Sequence, residues 1–128
     1  MLGTFVLSSG YQDAYFKKAQ KMRTLIRRRF QEAFLQCDLI ATPACPTAAF
    51  ELGAIHDPVQ MYLNDIYTIG ANLAGLPGIS VPSGFSAEGK PYGLQLMGPQ
   101  RGDVAVVRAA HAYDITAGFA KKIPTAFA

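Results

Sequence analysis

The segment from Met61 to Pro82 constrains the fold of this chain more than any other. It reads MYLNDIYTIGANLAGLPGISVP, a mainly apolar run with one carboxylate that breaks at a glycine-proline turn and enters a short β-branched run. The part from Val59 to Leu73 suits one helix or two short ones, with Gly70 as a weak point. The residues after the turn predict a buried strand, so the segment indicates an α/β fold.

Asp65 is the single carboxylate in this apolar run. Burial of a charge is costly unless a cation meets it, so we expect a partner for this side chain. The partner is either a neighbouring Lys or Arg (or a local helix that Asp65 caps), or the positive group of a bound molecule. A carboxylate found in bulk solvent would remove the physical argument for a substrate-binding role.

The remaining sequence alternates predicted helices and strands, with strand runs that look buried on both faces. Ser9 and Gln12 have the spacing of a capping box at the start of the first helix. Asp57-Pro58 has the composition of a helix start, and Gly118 that of a helix stop. The predicted elements are a helix over 10–36, a strand over 38–43, a strand over 79–82, a hairpin turn over 86–90, a strand over 92–98, a helix over 103–117 and a loose tail over 119–128.

The predicted helix over 103–117 carries its apolar residues on one face, which we expect to be buried. That face consists of Val104, Val107, Ala110, His111 and Ile115. On such a face a histidine is a core residue more often than a catalytic base. His111 is therefore assigned to the core.

The composition limits the classes of protein to which the chain can belong. With 128 residues, 50% of them hydrophobic and 16% charged, it forms at most one domain and is not disordered. No segment approaches the roughly 18 apolar residues of a membrane span, and residues 1–7 are too short for a signal peptide. Cys37, Cys45, His56 and His111 lack metal-site spacing, so we predict no metal site and reduced thiols in a cytoplasmic protein.

The first predicted helix is strongly basic and has few acidic residues. Its cations are Lys17, Lys18, Lys21, Arg23, Arg27, Arg28 and Arg29. A basic face attracts phosphate, so a non-catalytic module that binds tRNA or a protein is one interpretation. A solvated helix surface is the alternative, and the absence of interleaved aromatic residues favours it.

No complete catalytic machinery is present in the chain. Nucleophilic catalysis needs a nucleophile, a base within hydrogen-bond reach and donors for the oxyanion. Ser80 lies within a predicted strand, Ser83 at a strand end, and neither belongs to a Gly-x-Ser-x-Gly turn. Lys90 lies in a predicted turn, where we expect it to be solvated.

Three blocks of the chain resemble the amidase-signature family. They are the segment MYLNDIYTIGANLAGLPGISVP, the following GKPYGLQLMGP and the RAAHAYD helix. Two earlier segments are similar to segments of the same proteins, and they occur there in the same order. They are LGTFVLSSGYQDAYFKKAQKMRTLIRRRF and DLIATPACPTAAF. The resemblance covers residues 2–114 and is closest to the C-terminal part of the glutamine-hydrolysing subunit of tRNA-dependent amidotransferases.

The resemblance implies a fold and an activity. Such enzymes are αβα sandwiches around a mixed β-sheet, so residues 1–128 would be a portion of an amidase domain and not a complete one. The glutamine-hydrolysing subunit cleaves its substrate with a serine, a second serine in a cis peptide bond and a lysine. These catalytic residues would lie outside this chain. The ammonia converts Glu-tRNA(Gln) to Gln-tRNA(Gln) at a partner subunit, where ATP and Mg would bind, so this chain needs no cofactor of its own.

The resemblance also implies one substrate-binding residue. Asp65 stands where the family's acid receives the α-amino group of glutamine, and Tyr62, Asn64 and Thr68 are possible neighbours in that pocket. The expected partners are glutamine, the other subunits of a heteromeric complex, and tRNA through the partner subunit, with no membrane contact. The alternative within enzymes is a remnant of a stand-alone amidase for neutral amides, which offer Asp65 no cation.

Overall fold

A computed structural model of the protein describes residues 15–122, and the predicted capping box at Ser9 lies outside them. Helices flank a small sheet, which agrees with the predicted α/β class. In chain order they are α1 (Lys17–Ala33), β1 (Ile40–Pro43), α2 (Pro58–Leu63), α3 (Ile69–Ala74), β2 (Gly78–Phe85), β3 (Pro91–Met97), α4 (Asp103–Ala117) and a 3₁₀ turn (Phe119–Lys121).

The three strands form one sheet in the order β1-β3-β2. Both pairings are antiparallel, and Gln95 of β3 lies between Thr42 of β1 and Ser80 of β2. A bulge interrupts the β2 register between Pro82 and Gly84. All strand pairs among the described residues are therefore antiparallel. They would form one part of the mixed sheet that the resemblance implies.

Helix α4 covers one face of this sheet and forms the core with it. Val81, Leu96 and Ala110 pack together, and Ile79 and Leu94 border them. These strand residues share a face because side chains alternate along a strand. The core is therefore built from residues that are distant in sequence.

The predicted buried face of α4 is partly wrong. Ala110 is buried as expected, and Val106 is buried with it. The other members of the predicted face, Val104, Val107, Ile115 and His111, are exposed. Apolar residues surround this helix on most sides, so the sheet and not the apolar pattern selects the face that it buries.

The segment from residue 58 to residue 74 forms two short helices, which is one of the two expected alternatives. Asp57 caps α2, because its Oδ1 accepts a hydrogen bond of 2.9 Å from the Val59 N–H, and Pro58 is the first helical residue. The break between the helices falls at residues 64–68 and not at Gly70, which lies within α3. A Cβ at position 70 would lie 3.2 Å from Phe30 Cζ, so this glycine permits close packing of α3 on α1.

The segment that was expected to be a loose tail begins with an ordered turn. The Phe119 ring meets the Phe85 ring edge-on with centroids 6.3 Å apart, and Lys122 Nζ lies 4.9 Å from the Phe85 centroid. Residues 123–128 lie outside the described part of the chain, so the expectation for them stays a prediction. No helix within residues 15–122 has the length and apolarity needed to cross a bilayer.

Candidate functional site

A cavity of about 670 Å³ lies beside the edge of the sheet. Its wall consists of the loop 44–50, neighbouring residues of β1 and β3, Ser83 and Asn64. The loop is fastened to β3 because the Ala44 N–H donates a 2.8 Å hydrogen bond to the Gly93 carbonyl. None of the described residues that line the cavity is a Lys, Arg, His, Asp or Glu.

Asn64 is the only one of the four sequence-predicted site residues that lines this cavity. It follows directly after α2, and its N–H donates to the Met61 carbonyl at 3.3 Å. Its side-chain Nδ2 is buried and has no hydrogen-bond partner among the described residues.

The expectation that Asp65 is buried is wrong for the described chain. The residue is exposed, and its carboxylate forms no hydrogen bond or ion pair with any of residues 15–122. Its backbone carbonyl instead accepts hydrogen bonds from the N–H groups of Thr68 and Ile69, at 3.0 and 2.9 Å. The cost of an unpaired buried charge therefore does not apply, and a substrate role for Asp65 rests on the resemblance alone.

The surroundings of Asp65 explain this exposure. Tyr62 is 78% exposed, Leu63 51% and Ile66 54%, because no other described segment covers them. The neighbourhood is apolar, as the sequence indicates, but it is an open face and not an enclosed pocket.

Thr68 and Tyr62 are not brought to the cavity. The Thr68 hydroxyl donates to the Asp65 carbonyl at 3.2 Å, which is a local bond that secures the start of α3. The Tyr62 side chain lies in solvent. The structure therefore separates the four candidate residues, with Asn64 on the cavity and the other three outside it.

Gln95 is a polar residue that the sequence analysis missed. It is the only buried polar or charged residue among those described, and it lies on the sheet face opposite α4. Its Nε2 donates to Thr42 Oγ1 at 3.0 Å and to the Tyr67 carbonyl at 2.8 Å. Gln95 therefore fixes the turn that carries Asn64 and Asp65 to the sheet. A single amide within the apolar run YGLQLM was the available signal.

The other candidate groups remain apart. Ser80 and His111 are both exposed. Within residues 15–122 no group of His, Cys, Asp or Glu has the proximity needed to hold a metal ion. The structure supplies no nucleophile with an adjacent base in this part of the chain.

The basic residues of α1 are divided between two roles. Arg23 Nε donates to the Leu73 carbonyl at 2.8 Å and joins α1 to α3, and Arg27 is half-buried. Lys18, Lys21 and Arg28 are exposed. Arg23 thus has a structural contact, whereas Lys18, Lys21 and Arg28 belong to a solvated surface.

A sequence model of the amidase family matches residues 1–107. This span is more than half of the 128 residues. The chain belongs to the amidase family. The family assignment and the α/β fold that the sequence predicted are both confirmed.

Among the amidases, the chain is similar to the A subunit of glutamyl-tRNA(Gln) amidotransferase from several bacteria. The protein of Protochlamydia amoebophila (strain UWE25) is 64% identical over 124 residues, which are 97% of this chain and 25% of that protein. The protein of Streptococcus equi subsp. zooepidemicus (strain MGCS10565) is 56% identical over 128 residues, 99% of this chain and 26% of that protein.

A solved structure of the same kind of protein shares the fold. The crystal structure of the A subunit of glutamyl-tRNA(Gln) amidotransferase from Thermotoga maritima superposes with a TM-score of 0.77 at 50% identity. The match covers 89% of this chain and 25% of that one. The chain therefore spans about a quarter of the length of the relatives that it matches.

Proposed function

We propose that this chain acts as part of the glutamine-hydrolysing subunit of a tRNA-dependent amidotransferase. The observation that carries the proposal is the 64% identity with the A subunit of a glutamyl-tRNA(Gln) amidotransferase over 97% of the chain. In this proposal the complete subunit works in the cytoplasm within a heteromeric complex. It releases ammonia from glutamine, and a partner subunit uses that ammonia with ATP and Mg²⁺ to convert Glu-tRNA(Gln) to Gln-tRNA(Gln).

The chain alone is expected to have no glutaminase activity. The resemblance places the two serines and the lysine that cleave the amide outside this chain, and residues 15–122 provide no substitute for them. Ammonia release from glutamine, measured with the purified chain, is expected to equal that of a heat-denatured control. Turnover above that control would contradict this part of the proposal.

Asp65 is proposed to receive the α-ammonium group of glutamine in the complete subunit. The resemblance carries this assignment, since the carboxylate is exposed within residues 15–122 and burial gives no separate argument for a cationic partner. The apolar side chains around it provide a face that a further polypeptide segment can close. Closure would remove water and strengthen the charge-assisted hydrogen bond to the ammonium group.

A chimera tests this assignment. Residues 1–128 replace the matching quarter of the Protochlamydia amoebophila protein, and glutamine kinetics are measured in the assembled complex. Asp65→Asn is expected to raise KM for glutamine more than about tenfold, since a hydrogen bond to a charged group contributes about 1.5–3 kcal/mol. Asp38→Asn, which changes another exposed acid, is the matched control and is expected to leave KM unchanged.

The same chimera distinguishes the alternative function. A neutral amide offers no ammonium group, so its hydrolysis does not depend on Asp65. Unchanged glutamine kinetics in the Asp65→Asn chimera, together with efficient hydrolysis of a neutral amide, would favour a stand-alone amidase and contradict the proposal.

A further inference from the structure

We propose that Gln95 is a positioning residue for the glutamine site of the complete subunit, because it holds the turn that carries Asp65 against the sheet. The inference rests on the proposed function, since it takes from there the role of Asp65. Three observations carry it: the burial of Gln95, the two hydrogen bonds that it donates, and the local character of the other hydrogen bonds that the described structure gives the turn at residues 64–68.

Gln95 is a buried amide whose nitrogen donates two hydrogen bonds. It is 7% exposed and lies on β3 between Thr42 of β1 and Ser80 of β2. A buried amide is costly unless its hydrogen bonds are made. Gln95 Nε2 donates to Thr42 Oγ1 at 3.0 Å and to the Tyr67 carbonyl at 2.8 Å. The first bond stays within the sheet, whereas the second joins the sheet to the turn.

The bond to Tyr67 is the only hydrogen bond within residues 15–122 that joins the turn at residues 64–68 to a distant segment. The other hydrogen bonds of the turn reach at most four residues along the chain. Leu63 and Ile66 are 51% and 54% exposed, so their packing on the described residues is incomplete. The turn therefore depends on Gln95 for its place on the sheet.

Hydrogen bonds within the turn connect Tyr67 to Asp65. The Asp65 carbonyl accepts from the N–H groups of Thr68 and Ile69, at 3.0 and 2.9 Å, and from the Thr68 hydroxyl at 3.2 Å. Tyr67 lies between the ends of these bonds, so a displacement of its carbonyl also moves Asp65. A carboxylate that is not held in place has to be ordered when an ammonium group binds, and this cost weakens binding.

The expected effect is on the binding of glutamine and not on the cleavage of its amide. In the assembled complex that contains the chimera, Gln95→Leu is expected to raise KM about fivefold, the ratio that corresponds to one hydrogen bond between uncharged groups. The kcat value is expected to change less than about twofold, because loss of uniform binding raises KM alone. Since Gln95 acts through Asp65, Gln95→Leu is expected to add nothing to the KM of the Asp65→Asn variant.

Thr42→Val separates positioning from stability. It removes the acceptor within the sheet and leaves the bond to Tyr67, so it is expected to lower the thermal midpoint of the complex without a change in KM. The double variant Thr42→Val and Gln95→Leu also removes the unpaired hydroxyl. It is expected to be more stable than Gln95→Leu alone and to keep the raised KM. If Gln95→Leu does not assemble, this double variant decides the question.

Gln36→Leu, which changes an exposed glutamine, is the matched control and is expected to leave KM unchanged. Three results would overturn the inference and leave the proposed function intact: an unchanged KM in the Gln95 variants, a KM raised equally by Thr42→Val, or a KM effect of Gln95→Leu that persists in full in the Asp65→Asn variant. An unchanged KM in Asp65→Asn itself would contradict the proposed role of Asp65 and this inference together, so the two failures are distinguishable.

Discussion

At the scale of single residues, Gln95 provides the connection between the sheet and the turn at residues 64–68. Replacement by leucine keeps the size of the side chain but leaves Thr42 Oγ1 and the Tyr67 carbonyl without their donor. We expect Gln95→Leu to lower the free energy of unfolding by about 1–3 kcal/mol, the cost of an unsatisfied buried polar group. Urea denaturation followed by circular dichroism measures this change.

The matched control for Gln95 is an exposed glutamine. Gln36 is exposed in the turn after α1, and Gln36→Leu is expected to change the free energy of unfolding by less than about 0.5 kcal/mol. Equal effects of the two substitutions would show that the Gln95 hydrogen bonds do not contribute to stability.

Gly98 lies at a close contact between the end of β3 and α4. A Cβ at this position would lie 2.6 Å from Val106 Cγ2 and 3.4 Å from Leu39 Cδ2. Since Val106 is 2% exposed and has little room to move, we expect Gly98→Ala to lower the free energy of unfolding by about 1–3 kcal/mol. The same urea titration tests it.

Gly78 gives the comparison for Gly98. A Cβ there would meet its nearest atom, the Leu96 carbonyl oxygen, at 3.7 Å, which is ordinary contact. Gly78→Ala is therefore expected to be neutral or slightly stabilising. A loss of stability as large as that of Gly98→Ala would contradict the steric explanation.

The residue scale is also where prediction from the sequence was least successful. The sequence shows that Asp65 follows Asn64 within an apolar run, but it does not show that Asn64 lines a cavity while Asp65 lies in solvent. These surroundings depend on the loop 44–50 and on β3, which approach only in the folded chain. Gln95 was missed for the same reason, since its two acceptors belong to distant segments.

At the scale of secondary structure, the hairpin turn between β2 and β3 is stabilised by Ser86. Its Oγ donates to Glu88 Oε2 at 2.7 Å and accepts from the N–H groups of Glu88 and Lys90, each at 3.2 Å. The hydrogen bond from Ser86 is the main cause that lowers the pKa of Glu88 below its ordinary value. The folded turn therefore prefers the ionised carboxylate.

This preference predicts a pH dependence for the turn. A lowered pKa in the folded state contributes stability above the pKa of the unfolded chain, and that contribution is lost as the pH falls through the folded value. We expect Ser86→Ala to raise the pKa of Glu88 toward its ordinary value, as measured by NMR titration of the carboxyl carbon. Thr116→Ala, which removes a hydroxyl from α4, is expected to leave it unchanged. An unchanged Glu88 pKa in Ser86→Ala would contradict the assignment of the cause.

Element boundaries were predicted well where local signals set them. The bounds of α4, Asp103–Ala117, agree with the prediction, and Gly118 ends the helix with a φ of 69°, a conformation that glycine adopts readily. The cap at Asp57 and the turn at 86–90 were also predicted, because each depends on a few consecutive residues. The buried face of α4 depends on where the sheet lies, and there the prediction was partly wrong.

At the scale of the whole molecule, the described chain exposes a large amount of apolar surface. Several large side chains on and beside α2 and α3 are exposed, among them Tyr62, Leu63, Ile66 and Ile69. Contiguous apolar surface of this kind promotes association. We therefore expect the purified chain to self-associate at micromolar concentrations.

Light scattering after size-exclusion chromatography measures this association. The double variant Tyr62→Ser and Ile66→Asn is expected to shift the chain toward the monomer. Ala87→Ser and Ala112→Ser, which change exposed residues of the hairpin turn and of α4, form the control pair and are expected to leave the distribution unchanged. A wild-type chain that stays monomeric at high concentration would contradict the prediction.

Gly93 links the shape of the cavity to the pairing of the strands. A Cβ at this position would lie 2.9 Å from Ala44 Cβ and 2.8 Å from Ser80 Oγ. A side chain there would therefore displace both the loop 44–50 and β2. The size of the cavity and the pairing of β2 with β3 therefore both depend on the absence of a side chain at position 93. Engineering of a larger cavity therefore has to begin at other lining residues, such as those of the loop 44–50, because a change at position 93 also alters the pairing of β2 with β3.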